Sequence, residues 1–186
     1  ITELAIEQGA MITVHASENI SENEDTVAAH GDRPTHLLDT TGILDLKPVL
    51  AHGVHLDESE RHLIASKGAC VAHCPGSNLK LASGAADFVQ YRADGITVGL
   101  GSDGSSTSND LDMFAVMRLA ANLARLVRND PAAISSTNVV RAATIEGAKA
   151  LGMADRIGSL EVGREADFIS LALDQPHMIP IHDPFT

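Results

Sequence analysis

The chain has 186 residues, of which 44% are hydrophobic and 20% are charged, a balance that is typical of a globular domain and not of a disordered chain. Its formal net charge of −12, with only 13 Lys and Arg, disfavours binding to nucleic-acid phosphates, so we expect a small-molecule partner. No apolar run approaches the roughly 18 residues that cross a bilayer, and the start lacks an export signal. We therefore predict a cytoplasmic protein without a membrane partner.

The chain begins without Met, in a segment that is typical of the end of a helix. This segment runs from Ile1 to Gln8, and Gly9 is expected to be its C-cap. Such a start indicates either a processed product or a piece of a longer protein.

Four apolar, strand-like segments follow, at 11–16, 48–54, 69–74 and 96–102. Between them lie candidate helices at about 21–31, 57–67 and 84–94, and the last two are closed by Gly68 and Gly95. Alternation of apolar strands with helices is typical of a parallel sheet that is covered by helices. The sequence therefore predicts four βα units.

The segment 110–128 is predicted to be the longest helix, because apolar residues recur along it at helical spacing, at Leu111, Phe114, Met117, Leu119 and Leu123. A further helix is expected from about Ser136 to Leu151, with Ser135 or Ser136 as N-cap and Gly152 as C-cap. From Gly158 to Leu173 an alternating pattern with glycines predicts short strands outside the main sheet.

Ionisable residues stand at the carboxyl ends of three of the predicted strands. The motif VHASE places His15 and Glu18 there, LAHGVHL places His52, and LGSDGSSTSN places Asp103. A barrel of parallel strands assembles its chemistry at this end. A divalent metal in a hydrolase needs imidazole and carboxylate ligands and an open position for water, and His15 and Asp103 supply one ligand of each type. Glu18 could then carry a proton between water and a leaving group.

Each of these residues also has a plainer structural interpretation. A histidine in an apolar strand is commonly a hydrogen-bonded core residue, and an aspartate before glycine is commonly a turn or helix cap. Surface or capping roles are expected for six other histidines: His30, His36, His55, His62, His177 and His182. His73 could line a pocket or bond a neighbouring loop, and Ser77 and Asn78 could be turn residues. The residues alone leave a metal site and a structural role open.

Six segments in this order resemble the C-terminal half of the amidohydrolase superfamily: VHASE, LAHGVHLDESE, VAHCPGSNLKLASG, VGLGSDGSSTSNDLDMF, RAATIEGAKALG and IGSLEVGREADFI. They resemble its cytosine-deaminase-like branch, which includes adenosine-type and S-adenosylhomocysteine deaminases, guanine-type deaminases and triazine chlorohydrolases. The resemblance implies an α/β fold, with strands 5 to 8 of a distorted TIM (β/α)8 barrel over residues 1–155. Residues 156–186 would belong to a small composite β-sandwich.

The resemblance also implies a role for each candidate residue. His15 matches the metal ligand on the fifth strand, and Glu18 matches the acid that protonates a ring nitrogen and the leaving group. His52 matches the histidine that orients the hydrolytic water, and Asp103 matches the carboxylate that touches the metal and deprotonates that water. The implied activity is deamination of an aminopurine-type heterocycle with one divalent metal, Zn2+ in preference to Fe2+, in a homo-oligomer.

The sequence departs from the family in one important respect. The family takes two further ligands from a His-x-His pair, and no such pair occurs in this chain. Two protein ligands alone should hold a metal poorly, so the chain by itself could fail to retain it. The alternatives are a triazine-type chlorohydrolase, another amidohydrolase, or a truncated chain that is inactive by itself.

Overall fold

A computed structural model describes residues 1–181, and His182 therefore lies outside the described range. The strands are β1 (Thr13–Ala16), β2 (Val49–His52), β3 (Cys70–His73) and β4 (Thr97–Leu100). The helices before β3 are α1 (Thr2–Gln8), α2 (Ile20–His30), α3 (Pro34–Thr40) and α4 (Glu58–Lys67). Those after β3 are α5 (Pro75–Lys80), α6 (Phe88–Ala93), α7 (Ser105–Ser108), α8 (Met113–Arg128), α9 (Ser136–Ala143) and α10 (Ile145–Ala150).

The four strands form one sheet in the order β1-β2-β3-β4, and every neighbouring pair is parallel. The predicted parallel arrangement of four strands is confirmed. In the register, Ala16 faces His52 and His73 faces Leu100. The carboxyl ends of all four strands therefore lie along one edge of the sheet, which we call the carboxyl edge.

The core is formed by apolar side chains of the central strands and the helices that cover them. Leu50, Val71 and Val98 are fully buried, one from each of three adjacent strands. Ile64 of α4 and Ala124 of α8 pack into the same core. A strand that is covered on both faces reads as a continuous apolar run, which is the pattern that the sequence shows here.

Capping residues fix the ends of several helices where the sequence predicted them. Asp57 and Glu60 form a capping box at the start of α4, and Gly68 ends that helix in a left-handed conformation. Gly9 ends α1 in the same way. The helix predicted at 84–94 is shorter, because α6 begins only after Asp87, which accepts a hydrogen bond from the Gln90 amide.

The face of α8 that meets the core differs from the predicted stripe. Val116, Ala120, Leu123 and Ala124 are the buried residues of this helix. Phe114 is 47% exposed and Leu111 lies before the helix, 65% exposed. The predicted stripe combines large apolar residues from two faces of the helix. The face that is buried also contains small alanines, which allow close packing.

The helix predicted from Ser136 to Leu151 is divided in two at Thr144, whose φ of −125° and ψ of −99° are not helical. Ser135 is the N-cap, as one of the two predicted choices, but Leu151 and not Gly152 is the C-cap. The break sets α10 against β4, where Gly147 lies next to Gly99. Close packing of the α10 backbone against the sheet is therefore favoured over one continuous helix.

The short strands predicted between 158 and 173 do not form in this structure. A strand needs a neighbour to bond, and the large apolar residues Val162 and Phe168 are exposed here. Ion pairs hold part of the tail instead, since Arg156 pairs with Glu165 and the guanidinium of Arg164 donates to the Ala154 carbonyl. The composite β-sandwich over 156–186 stays a prediction. Across residues 1–181, we find no helix that combines the length and the apolar character needed to traverse a bilayer.

Replacing Gly99 by alanine is expected to destabilise the intact protein by about 1–3 kcal/mol, because the new methyl group would overpack this contact. An added Cβ would lie 3.1 Å from the Gly147 Cα, which is backbone and has little room to move. Denaturant unfolding measures the effect. The matched control is Gly104→Ala, where the nearest atom would be Thr107 Oγ1 at 3.7 Å, so its effect should stay within about 0.5 kcal/mol. Equal stability of the two variants would contradict the packing described.

Candidate active site

The carboxyl edge brings three of the four predicted site residues together. His15 lies in β1 and His52 ends β2, and their rings stack with centroids 5.5 Å apart at an angle of 21°. Glu18 follows β1, with its Oε2 4.0 Å from Nε2 of His52. Since β1 is the outer strand of the sheet, His15 is exposed, whereas His52 is buried. These side chains face one another across neighbouring strands.

Asp103, the fourth predicted residue, lies in the turn after β4, at the same edge of the sheet. Proximity of the Ser77 hydroxyl contributes most to lowering the pKa of Asp103, although that hydroxyl makes no hydrogen bond of regular geometry within residues 1–181. Partial burial opposes this effect, and Thr107 Oγ1, which donates to Oδ2 at 2.8 Å, lowers the pKa further. A protonated His52 would act in the same direction. The carboxyl group is therefore ionised at neutral pH.

The thiol of Cys74 is buried at the carboxyl edge. Burial raises the pKa of Cys74 to about 12, and the negative charges of Asp103 and Glu18 both add to this shift. A thiolate at this position is disfavoured at neutral pH, so Cys74 is not a candidate nucleophile.

Three turns at the carboxyl edge have left-handed backbone. Ser17 has a φ of 52°, His52 a φ of 71° and Asp103 a φ of 60°. This conformation costs a residue with a side chain roughly 1–2 kcal/mol and is enriched at functional sites. Bonds from outside hold the turn at His52, since Tyr91 Oη donates to the Gly53 carbonyl at 2.6 Å. The backbone is strained where the candidate residues emerge.

Glu22 was missed by sequence reasoning, and it shapes the turn that carries Glu18. Its carboxylate accepts hydrogen bonds from the backbone amides of Ser17, at 2.9 Å, and Glu18, at 2.6 Å. Asn19 caps the same helix by accepting from the Glu22 amide at 2.9 Å. The Asn19 to Glu22 spacing is that of a capping box, and this signal could have identified Glu22.

His73 takes neither of the two roles that the sequence left open. It is buried, its ring stacks on Phe88 at 5.5 Å, and neither ring nitrogen has a hydrogen-bond partner among residues 1–181. Burial, with a smaller effect from His52, lowers the pKa of His73 to about 4. His73 is therefore a neutral core residue, and its position beside His52 is structural.

Most of the remaining histidines are surface residues, and one of them, His55, supports neighbouring loops. His30 and His62 are exposed, and His36 pairs with Ser59 Oγ at 3.1 Å, in agreement with the predicted surface roles. His55 is half-buried, and its Nε2 lies 2.6 Å from the Ser83 carbonyl. His55 therefore joins two loops of the carboxyl edge. The described side chains include neither His177 nor His182.

The donors at this edge fit zinc in type but not in number. His15 offers an imidazole and Asp103 a carboxylate, and both belong to the ligands that zinc takes in hydrolases. Within the described part of the chain, no group of three His, Cys, Asp or Glu side chains is arranged to hold a metal ion. The two residues could therefore supply only part of a metal site.

The fold and the site can now be compared with known proteins. The model of the amidohydrolase family matches residues 1–185 of this chain. The chain belongs to the amidohydrolase family. This agrees with the resemblance of the six sequence segments, three of which carry the candidate site residues.

Curated relatives in this family are deaminases. The 5-methylthioadenosine/S-adenosylhomocysteine deaminase of Haloarcula marismortui is 45% identical over 179 residues, which are 96% of this chain and 41% of the relative. The enzyme of the same name from Moorella thermoacetica is 42% identical over 183 residues, 98% of this chain and 43% of the relative. The chain thus spans about two fifths of the length of these relatives.

Solved structures of the family contain the same arrangement of strands and helices. An adenosine deaminase from Xanthomonas campestris with bound zinc superposes with a TM-score of 0.93 at 41% identity, over 97% of this chain and 41% of that one. Atrazine chlorohydrolase from Arthrobacter aurescens, complexed with zinc, gives a TM-score of 0.90 at 30% identity, over 98% and 40%. The four parallel strands therefore match part of an amidohydrolase TIM barrel.

Replacing Glu22 by alanine is expected to destabilise the intact protein by about 1–3 kcal/mol, because two amides of the Ser17–Glu18 turn lose a charged hydrogen-bond acceptor. Thermal and denaturant unfolding measure this loss. The control is Asp25→Ala on the exposed side of α2, which should change stability by less than about 0.5 kcal/mol. If the two variants unfolded alike, Glu22 would not hold the turn.

Proposed function

We propose that the intact protein is a metal-dependent hydrolase that deaminates an aminopurine-type heterocycle. The observation that carries this proposal is the grouping of Glu18, His52 and His15 at the carboxyl edge of the sheet. The family supports it, because relatives that are 42–45% identical are 5-methylthioadenosine/S-adenosylhomocysteine deaminases. The fold alone would not indicate a reaction, since this barrel carries many chemistries.

The metal that we propose is a single divalent ion, zinc in preference to iron, because two structural relatives contain zinc. His15 and Asp103 would be two of its ligands, and the others would come from outside residues 1–181. A bound zinc ion lowers the pKa of a coordinated water toward about 7 and so supplies a nucleophile at neutral pH.

Asp103 is proposed as the group that takes the proton from the attacking water. Its lowered pKa keeps the carboxylate ionised, so it can accept a proton without first losing one. The hydrogen bond from Thr107 at 2.8 Å holds Oδ2 and leaves the second carboxylate oxygen for the water. A weakly basic carboxylate would suffice for this step if a bound metal made the water more acidic.

Glu18 and His52 are proposed to act on the other side of the reaction. His52 would hold the water in line with the ring carbon through Nε2, the nitrogen that faces Glu18. Glu18 would protonate the ring nitrogen next to that carbon while water adds to it. The bond from carbon to the amino group would then break, and the departing nitrogen would take the proton that Asp103 removed from the water and leave as ammonia. The hydroxyl proton of the adduct would return to Glu18 as the carbonyl group forms.

A second candidate is hydrolysis of a chlorinated triazine. It is favoured by one observation, the TM-score of 0.90 with a chlorohydrolase over 98% of this chain. The same water activation would serve this reaction, and chloride would leave without a proton. The higher sequence identity to the deaminases, 45% against 30%, places deamination first. The expected homo-oligomer stays a prediction for either reaction.

Assays on a panel of aminopurine nucleosides and chlorinated triazines should detect release of ammonia and not of chloride. Glu18→Gln is expected to lower kcat by about 10²–10⁴, the usual contribution of a positioned general acid. Glu24→Gln, a matched change at an exposed residue of α2, should leave kcat unchanged. Release of chloride would replace the proposal by its second candidate, and full activity of Glu18→Gln would overturn the role of Glu18.

Elemental analysis should find one metal ion per chain in the intact protein. The 186-residue chain alone should hold far less than one, because two protein ligands without a complete second shell bind metal weakly. His15→Ala in the intact protein should lower metal affinity about 10- to 100-fold, whereas His62→Ala, on the exposed face of α4, should not. Equal retention of metal by the two variants would remove His15 from the site.

A further inference from the structure

One short segment hydrogen-bonds two of the residues that we propose to move or orient a proton, His52 and Glu18. This segment, residues 75–84, consists of α5 and the turn that follows it, and we call it the α5 segment. Ser77 approaches Asp103, Asn78 bonds His52, and Ser83 bonds Glu18. None of these three polar residues has a role in the reaction as proposed above. Their common origin in one segment makes them candidates for positioning residues.

The contact between Asn78 and His52 defines the state of the imidazole ring. Oδ1 of Asn78 lies 2.9 Å from Nδ1 of His52, and both side chains are buried, at 0% and 2% exposure. With Oδ1 of Asn78 facing the ring, Nδ1 carries the proton, because an amide oxygen can only accept a hydrogen bond. In a neutral ring the lone pair then lies on Nε2, the nitrogen 4.0 Å from Glu18. Asn78 thus keeps Nε2 free to accept from water.

The contact between Ser83 and Glu18 assigns different tasks to the two carboxylate oxygens. Ser83 Oγ donates to Oε1 at 3.1 Å, while Oε2 is the oxygen that faces His52. A proton on Glu18 is therefore best placed on Oε2, because Oε1 already accepts a hydrogen bond. Ser83 thus directs the acidic proton of Glu18 toward the site.

The α5 segment is itself held firmly, as positioning requires. The Ser83 amide donates to the Asn78 carbonyl at 2.9 Å, and the Ser83 carbonyl lies 2.6 Å from Nε2 of His55. Gly84 has a φ of 128° and a Cβ there would lie 2.9 Å from Val54 Cγ1, so no other residue fits without displacement. Lys80 Nζ donates to the Ser106 carbonyl at 2.6 Å, which links α5 to α7, the short helix after Asp103.

We propose that Asn78 and Ser83 are positioning residues of the reaction, Asn78 by fixing the Nδ1-protonated tautomer of His52 and Ser83 by placing the proton of Glu18 on Oε2. This inference rests on the proposed function for its kinetic consequences. The tautomer of His52 does not depend on that function, and it can be observed directly.

Nitrogen-15 NMR of the intact, zinc-loaded protein labelled at histidine tests the Asn78 contact, with His52→Gln to assign the resonances. In the unaltered protein, Nδ1 of His52 should give the signal of a protonated nitrogen and Nε2 that of an unprotonated one. Asn78→Leu should lose this pattern and show exchange between tautomers, while Asn78→Asp, which keeps an acceptor oxygen, should retain it. The matched control is Asn122→Leu on the exposed face of α8, which should not alter it. A protonated Nε2 in the unaltered protein would overturn the assignment.

Steady-state kinetics on the substrate that the intact protein deaminates tests the consequence for catalysis. Asn78→Leu and Ser83→Ala should each lower kcat about 10- to 100-fold, the usual effect of removing a residue that orients another. KM should change by less than roughly threefold, because the lost contacts act on the transition state and not on binding. Asn78→Asp should recover part of the loss, and Ser66→Ala, at an exposed serine of α4, should have no effect. A rise in KM with unchanged kcat would overturn the positioning roles.

The two measurements separate failure of this inference from failure of the proposed function. Suppose that the protein turns over no heterocycle, but that His52 loses its single tautomer in Asn78→Leu. This result would contradict the proposed function and would support the contact between Asn78 and His52. A protein that deaminates its substrate with the same kcat in all variants contradicts the inference and retains the function. If Asn78→Leu fails to fold, the tautomer in the unaltered protein and in Asn78→Asp decides the first point, and Ser83→Ala decides the second.

Discussion

The parallel register of β1 and β2 is the constraint on which the candidate site depends. Ala16 pairs with His52 in that register. His15 precedes Ala16 and Glu18 follows it, so both residues lie near His52. A slip of one residue would turn every side chain of β1 to the opposite face of the sheet and separate the two histidine rings. Burial of Ala16 and packing of Val14 against the core make such a slip costly. Packing of the interior thus specifies the geometry at the edge.

The carboxyl edge has this fixed strand register, and it also contains turns of unfavourable backbone conformation. His52 and Asp103 are left-handed residues that carry large side chains, and each costs free energy that neighbouring contacts must offset. Tyr91 bonds the turn at His52, Glu22 bonds the turn at Glu18, and Thr107 bonds the side chain of Asp103. The site is therefore preorganised by groups that take no part in the proposed chemistry, as catalysis by positioned polar groups requires.

Sequence patterns predicted the four strands, their parallel order and three of the residues that meet at the edge. Those patterns depend on local periodicity and on the rule that parallel strands end together, and both hold here. These patterns did not predict the buried face of α8, the break at Thr144 or the partners of His73. Each depends on which distant segment lies opposite, for example Gly99 against Gly147 or Phe88 against His73. The strands predicted in the tail show the same limit, because a strand exists only with a partner.

The most direct test of this account is a zinc anomalous-difference map from crystals of the intact protein. The account predicts a single strong peak at the carboxyl edge, about 2.0–2.2 Å from a ring nitrogen of His15 and from a carboxylate oxygen of Asp103. His52 and Glu18 should lie beside that peak without binding it. A zinc peak bound by other residues, with His15 and Asp103 both outside coordination distance, would contradict it.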